Sequence, residues 1–159
     1  MTLNALIFHS TIRAIKPIKF WDLQRVNIAC NMLNYAPVRV GVVMRFLYHM
    51  RVDGLTFVQV GAWFSFIGAI LMICVAACVV ATLIRTELDA LWLGLVIAQV
   101  GLAVGALGLF ASHPLIRKYG RGIERLATDR VSLWSCAAIR LVDLGAFTTR
   151  MAVAAAILQ

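Results

Sequence analysis

Residues 55–84 read LTFVQVGAWFSFIGAILMICVAACVVATLI, thirty residues from Leu55 to Ile84 without one charged side chain. As a helix the stretch would measure about 45 Å at about 1.5 Å per residue, longer than the roughly 30 Å hydrocarbon core of a bilayer. It is read as a transmembrane helix that tilts or starts in the interface, with Phe57 and Trp63 placed to anchor one end. The polar run Arg85-Thr86-Glu87-Leu88-Asp89 follows, and residues 90–112 form a second apolar span with Trp92 near the turn and Ser112-His113-Pro114 at its exit. A proline just past a helix end is a stop signal. These residues predict an all-α membrane protein built on a transmembrane hairpin over residues 55–112.

The composition agrees. The chain has 159 residues, 62% hydrophobic and 14% charged, with mean hydropathy +0.90. A soluble domain would be about half apolar and about a quarter charged.

Outward from the hairpin the chain is basic. Residues 1–54 carry Arg13, Lys16, Lys19, Arg25, Arg39, Arg45 and Arg51 against Asp22 and Asp53, a net +5. Pro17 and Pro37 divide this amphipathic arm into three pieces. In the middle piece Leu23, Val26, Cys30 and Leu33 recur at helical spacing, and Asp53-Gly54 ends the third with turn chemistry. No piece is long and clean enough to span, so the arm is expected to lie on the membrane surface or dock on a partner. No A-x-A site follows a clean apolar core near the start, so a cleavable signal peptide is not expected.

Beyond the hairpin, residues 113–130 place Arg117, Lys118, Arg121, Arg125 and Arg130 against Glu124 and Asp129, a net +3, whereas the turn 85–89 is net −1. Basic flanks belong on the cytoplasmic side. The expected orientation puts the N-terminus and residues 113–130 in the cytoplasm of a bacterial inner membrane and the turn outside. Arg13, Lys16, Lys19, Arg25, Arg117, Lys118, Arg121 and Arg125 are the candidates for docking on anionic lipid or a protein partner. Nucleic acid is not an expected partner, since no base-stacking aromatic pattern accompanies the charge.

Residues 131–159 form a long, mostly apolar C-terminal helix. Ser132, Cys136, Arg140, Asp143 and Arg150 fall within about 80° on a helical wheel, so its polar groups make one narrow seam. Spanning would bring Arg140 and Asp143 near mid-membrane, at about 2.5–3.5 kcal/mol each unless paired, and their three-residue spacing lets them pair. The helix is therefore read as interfacial or docked on protein, with a third span as the alternative.

Small residues mark two stripes: Gly61, Ser65 and Ala69 on the first span, and Ala98, Gly101, Gly105 and Gly108 on the second. Small residues let helix backbones approach closely in lipid. The stripes are expected to face each other within the hairpin, or to face another subunit, including a second copy of the chain. Gln99, in mid-span, is expected to hydrogen-bond the neighbouring helix. His49 and His113 fall at span ends, where a pair could ligate haem; with three histidines in all that placement is ordinary, and no cofactor is expected. Cys30, Cys74, Cys78 and Cys136 show neither zinc spacing nor a disulfide framework. G-x-S-x-G, H-E-x-x-H, Walker A and G-x-G-x-x-G are all lacking, and the acids are scattered beside basic residues, so no catalytic or metal-binding residue is expected.

The run Ile15-Lys16-Pro17-Ile18-Lys19-Phe20-Trp21-Asp22-Leu23-Gln24-Arg25, followed by an amphipathic helix, a two-span hairpin and a basic exit, resembles the small IcmV-type inner-membrane components of type IVB secretion and conjugation systems. The resemblance covers residues 12–35 in sequence and 12–125 in layout. It implies a structural role in a membrane-embedded transfer machine, among other membrane-protein subunits and without catalytic residues. The rival expectations are an accessory subunit of a respiratory or photosynthetic complex, an immunity protein against a membrane-active toxin, and a pilin. A pilin would keep its basic loop between the spans, whereas here the charge lies outside them.

Overall fold

The computed structural model describes residues 2–35, 40–111 and 124–157, and every regular element among them is an α-helix. The order is α1 (Thr2–Ile12), α2 (Phe20–Leu33), α3 (Val40–Arg51), α4 (Phe57–Ile84), α5 (Ala90–Ala111), α6 (Glu124–Thr128) and α7 (Arg130–Ile157). Three are long and apolar enough to cross a membrane: α4, α5 and residues Arg130–Arg150 of α7. By length and composition these three helices are candidate spans, which makes the chain an all-helical membrane protein.

Local chemistry sets the helix starts. Gly54 takes φ 65° after Asp53, a left-handed turn that suits glycine. Thr56 then caps α4 in a reciprocal box with Gln59: the Gln59 N–H donates to Thr56 Oγ1 at 3.3 Å and the Thr56 N–H to Gln59 Oε1 at 2.9 Å. At the far end Asp89 accepts the Trp92 N–H at 2.9 Å and is clasped by Arg85. The Trp92 indole N–H reaches Thr82 Oγ1 at 3.2 Å, closing α4 on α5. Asp129 starts α7, its carboxylate accepting from the Val131 N–H at 3.2 Å and the Ser132 hydroxyl at 2.5 Å.

α4 packs against both α5 and α7, and α5 against α7. The buried line of α4 runs through Val60, Trp63, Ile67, Ile70, Cys74, Ala77 and Ala81, and α5 answers with Val96, Val100 and Val104. From α7 come Leu133, Cys136 and Ala137. Most of the remaining surface of the three helices is exposed and apolar, as on Met72, Val79, Leu83, Leu102, Leu109 and Phe110. A lipid-facing helix needs that surface, since no water drives it inward.

The small-residue stripes do not meet. Ser65, Ala69 and Ala98 are exposed, and a methyl added at Gly61 or Gly105 would find nothing within 4 Å. Gly101 and Gly108 turn instead toward Trp134 and Leu133 of α7. The bulky line of α4 has taken the hairpin seam because Val and Ile side chains fill the space between α4 and α5 that glycines would leave empty. Gln99 is partly exposed, with no hydrogen-bond partner among the described residues.

The arm holds α1, α2 and α3, with Pro17 in the break between α1 and α2, while Pro37 lies outside the described residues. Its first piece is docked on its own chain: α1 lies on α4 and α7, with Ala5, Ile7, Phe8, Thr11 and Ile12 buried. Trp63 is not an interfacial anchor. It is fully buried, and its indole N–H donates to Thr11 Oγ1 at 2.7 Å. The Ser132 hydroxyl, whose one hydrogen is shared with Asp129, also lies 2.8 Å from the Ser10 carbonyl oxygen, bringing α1 onto the first turn of α7.

Candidate functional site

The chemistry-bearing side chains gather where α2 and α3 meet the start of α4. Gly41 lets the two short helices close up: a Cβ there would stand 1.8 Å from the Cys30 carbonyl oxygen. The residues α3 buries are Gly41, Arg45 and His49, one face at steps of four. Val42, Val43, Met44 and Leu47 point outward. A helix on a water-soluble core does the reverse. α3 is turned inside out, with its polar residues buried and an apolar face exposed. On α2 the buried face is Leu23, Gln24, Asn27 and Cys30, whereas Leu33, expected on the apolar stripe, is exposed.

Beneath these helices lies a polar cluster. Arg45 donates from Nη2 to Asn31 Oδ1 at 3.0 Å and stands 4.9 Å over the Phe8 ring. Burial holds its pKa below the ordinary guanidinium value, although an arginine stays a cation. His49 pairs through Nδ1 with Asp53 Oδ2 at 2.6 Å and packs edge-on against Trp63, ring centres 5.1 Å apart. Burial pushes the His49 pKa down, and the Asp53 hydrogen bond opposes it in part. Lys16 donates to the Asp53 carbonyl at 2.5 Å, fastening the α1–α2 link to the turn before α4. Gln24 Oε1, both Asn27 amide atoms, Arg45 Nε and His49 Nε2 are buried without partners among the described residues. Such groups are costly, so the cluster is a polar seam held by the packing around it.

A cleft of about 680 Å³ opens between α2 and α3 on the outer side. Arg25, Val26, Ala29 and Leu33 of α2 line it on one side and Met44, Leu47, Tyr48 and Arg51 of α3 on the other.

A second feature lies on α7. Arg140 donates from Nη1 to Asp143 Oδ2 at 3.2 Å, the pairing the spacing predicts. The Arg140 side chain is 11% exposed and that of Asp143 41%. The Arg140 Nε is buried without a partner among the described residues. The seam therefore faces the bundle at Ser132, Cys136 and Arg140 and leaves it at Asp143, while Arg150 is exposed.

Of the predicted docking residues, Arg13, Lys16, Lys19 and Arg25 are exposed along the arm. Arg13 borders a small hollow of about 260 Å³ with Asp129 and Ser135. Arg117, Lys118 and Arg121 lie outside the described residues, as do the Arg125 side chain and His113. Among the described residues no group of three or more His, Cys, Asp or Glu side chains could hold a metal ion. Sequence reasoning passed over Trp63–Thr11 and the inside-out face of α3. The second had a signal: Gly41, Arg45, His49 and Asp53 recur at steps of four in a segment otherwise apolar but for Tyr48 and Arg51.

Comparisons of the chain with known protein families, with curated proteins and with solved structures find no match.

Proposed function

We propose that this chain is a non-enzymatic structural subunit of a multi-component bacterial inner-membrane assembly, of the secretion or conjugation kind, with α4, α5 and α7 crossing the bilayer. The observation that carries this reading is the Arg140–Asp143 pair. It lies about ten residues, roughly 15 Å, into α7, and its carboxylate side chain is still 41% exposed. A half-uncovered carboxylate at that depth is costly in lipid and is met by protein in membrane structures. Gln99 adds a second mid-span polar group without a partner among the described residues. Outward-facing Gly61, Ser65 and Ala69 offer a close-approach surface for a neighbouring helix.

In this reading the basic end of the bundle, where α1, α2 and α3 gather, faces the cytoplasm. The Ile15–Arg25 run and the layout that follows it, similar to IcmV-type components, support the choice of machine.

The test is the native size of the complex after mild extraction, for the wild-type chain and for Arg140→Leu/Asp143→Leu. The pair is only partly buried, and even for a fully buried pair replacement by apolar residues of similar volume is often neutral or stabilising. The double variant should keep its helix content yet drop out of the large complex. A wild-type protein that runs as a monomer, or a double variant that assembles normally, would refute the proposal.

A further inference from the structure

We propose that the cleft between α2 and α3 is a binding site for one anionic phospholipid, its phosphate held by Arg25 and Arg51 and an acyl chain lying along the floor toward Leu33 and Met44. The inference stands on the cleft itself and does not depend on the assembly reading.

The register of the two helices places polarity lengthwise. Gly41 meets Cys30 and Asn34, and Arg45 meets Asn31. Val26 and Asn27 share a small space with Arg45 and His49. The helices are therefore antiparallel, with Arg25 beside the Tyr48–Val52 end of α3 and Leu33 beside Met44. Both guanidiniums fall at one end of the cleft and only apolar side chains at the other, about 12 Å away along α2. A volume of about 680 Å³ lies within the roughly 300–1,000 Å³ of small-molecule sites. A charged head with an apolar tail fits that distribution.

Arg25 and Arg51 are exposed, and neither has a carboxylate partner among the described residues. A guanidinium is the side chain best shaped to grip a phosphate through paired N–H donors. The lip of the cleft continues into the outward apolar face of α3, through Val43, Met44 and Leu47. An occupant thus passes from bilayer to cleft without crossing water. An acidic amphipathic helix from a protein partner would want basic residues spread along the groove, whereas these are gathered at one end.

The experiment uses the full chain in nanodiscs of phosphatidylcholine doped with a phosphatidylglycerol that carries a diazirine in its acyl chain. The control is a phosphatidylcholine with the same diazirine chain. After illumination, labelled peptides are mapped by mass spectrometry. The proposal expects several-fold more label from phosphatidylglycerol than from phosphatidylcholine on residues 26–47, and equal label from both on the outer faces of α4 and α5. Arg25→Gln/Arg51→Gln should bring the ratio in the cleft to one, with helix content intact because both side chains are exposed. Ala29→Trp, which fills the floor, should exclude both labels from the cleft while leaving the α4 and α5 pattern alone. Equal labelling of the cleft by the two lipids, or a preference that survives the double substitution, would overturn the site. So would cross-linking of residues 26–47 in native membranes to an acidic protein instead of lipid.

Discussion

Trp63 and Thr11 are 52 positions apart and both wholly buried, with the indole N–H 2.7 Å from the threonine oxygen. Thr11→Val keeps the shape and removes the acceptor, leaving a buried N–H unpaired. The expected loss is about 1–3 kcal/mol of stability, read as a lower unfolding temperature in detergent, while Thr11→Ser should restore most of it. Beside this pair, His49 makes the fold sensitive to acid. Its folded pKa lies below the ordinary 6.5, chiefly through burial, so the folded state resists the proton that the unfolded chain accepts. Its contribution is complete above pH 6.5 and is lost as pH falls from there through the lowered folded value. Arg45, which also disfavours the charged ring, and Asp53, which favours it, are the charged groups that bear on it. Unfolding temperatures measured from pH 7.5 to 5.5 should fall for the wild type and flatten for His49→Gln. The aromatic character of Trp63 was plain in the sequence, but its burial was not. A tryptophan in the first turns of a span suits an interfacial belt as well as a core, and only α1 folding back decides between them.

At the scale of elements, glycines with similar sequence surroundings have different duties. Gly108 lies 3.6 Å from Leu133 once given a methyl, and Gly105 meets nothing within 4 Å. Gly108→Ile should part α5 from α7 and cost about 1–3 kcal/mol by overpacking. Gly105→Ile should leave the isolated chain's stability within about 0.5 kcal/mol. The check is thermal unfolding of the two variants side by side. Gly41→Ala belongs with the first, since its methyl would enter the α2 backbone at Cys30, and the α2–α3 pair should loosen. The long apolar helices α4 and α5 were legible because runs of about twenty to thirty uncharged residues have few stable homes besides a bilayer or a large core. Pro17 likewise marked the break between α1 and α2. The partner of each stripe was not legible, because periodicity gives a helix its faces without saying which neighbour each face meets. The same holds for the C-terminal helix. Its seam and the Arg140–Asp143 pair could be read from spacing, but its packing against α4 comes from contacts between distant parts of the chain.

Across the whole molecule, three long apolar helices carry a polar-cored cap of three short ones at one end. The charges divide accordingly, basic around the cap and net acidic at the 85–89 turn. If α7 crosses the bilayer as proposed, its C-terminal end emerges with the turn, on the side away from the cap. An impermeant amine reagent applied from outside intact cells should then miss Lys16 and Lys19, while a protease site placed after residue 159 should be cut from outside. The cap's inside-out helix and the half-covered carboxylate both say that the lone chain leaves surfaces unmatched to water. The carboxylate is the one that asks for protein. The most direct measurement is mild extraction of the tagged chain from its own membrane, followed by mass spectrometry of everything that accompanies it. Membership of a larger assembly predicts recovery with other membrane proteins in a fixed ratio, transfer-machine components among them. Recovery of the chain alone, or only with copies of itself, would contradict it.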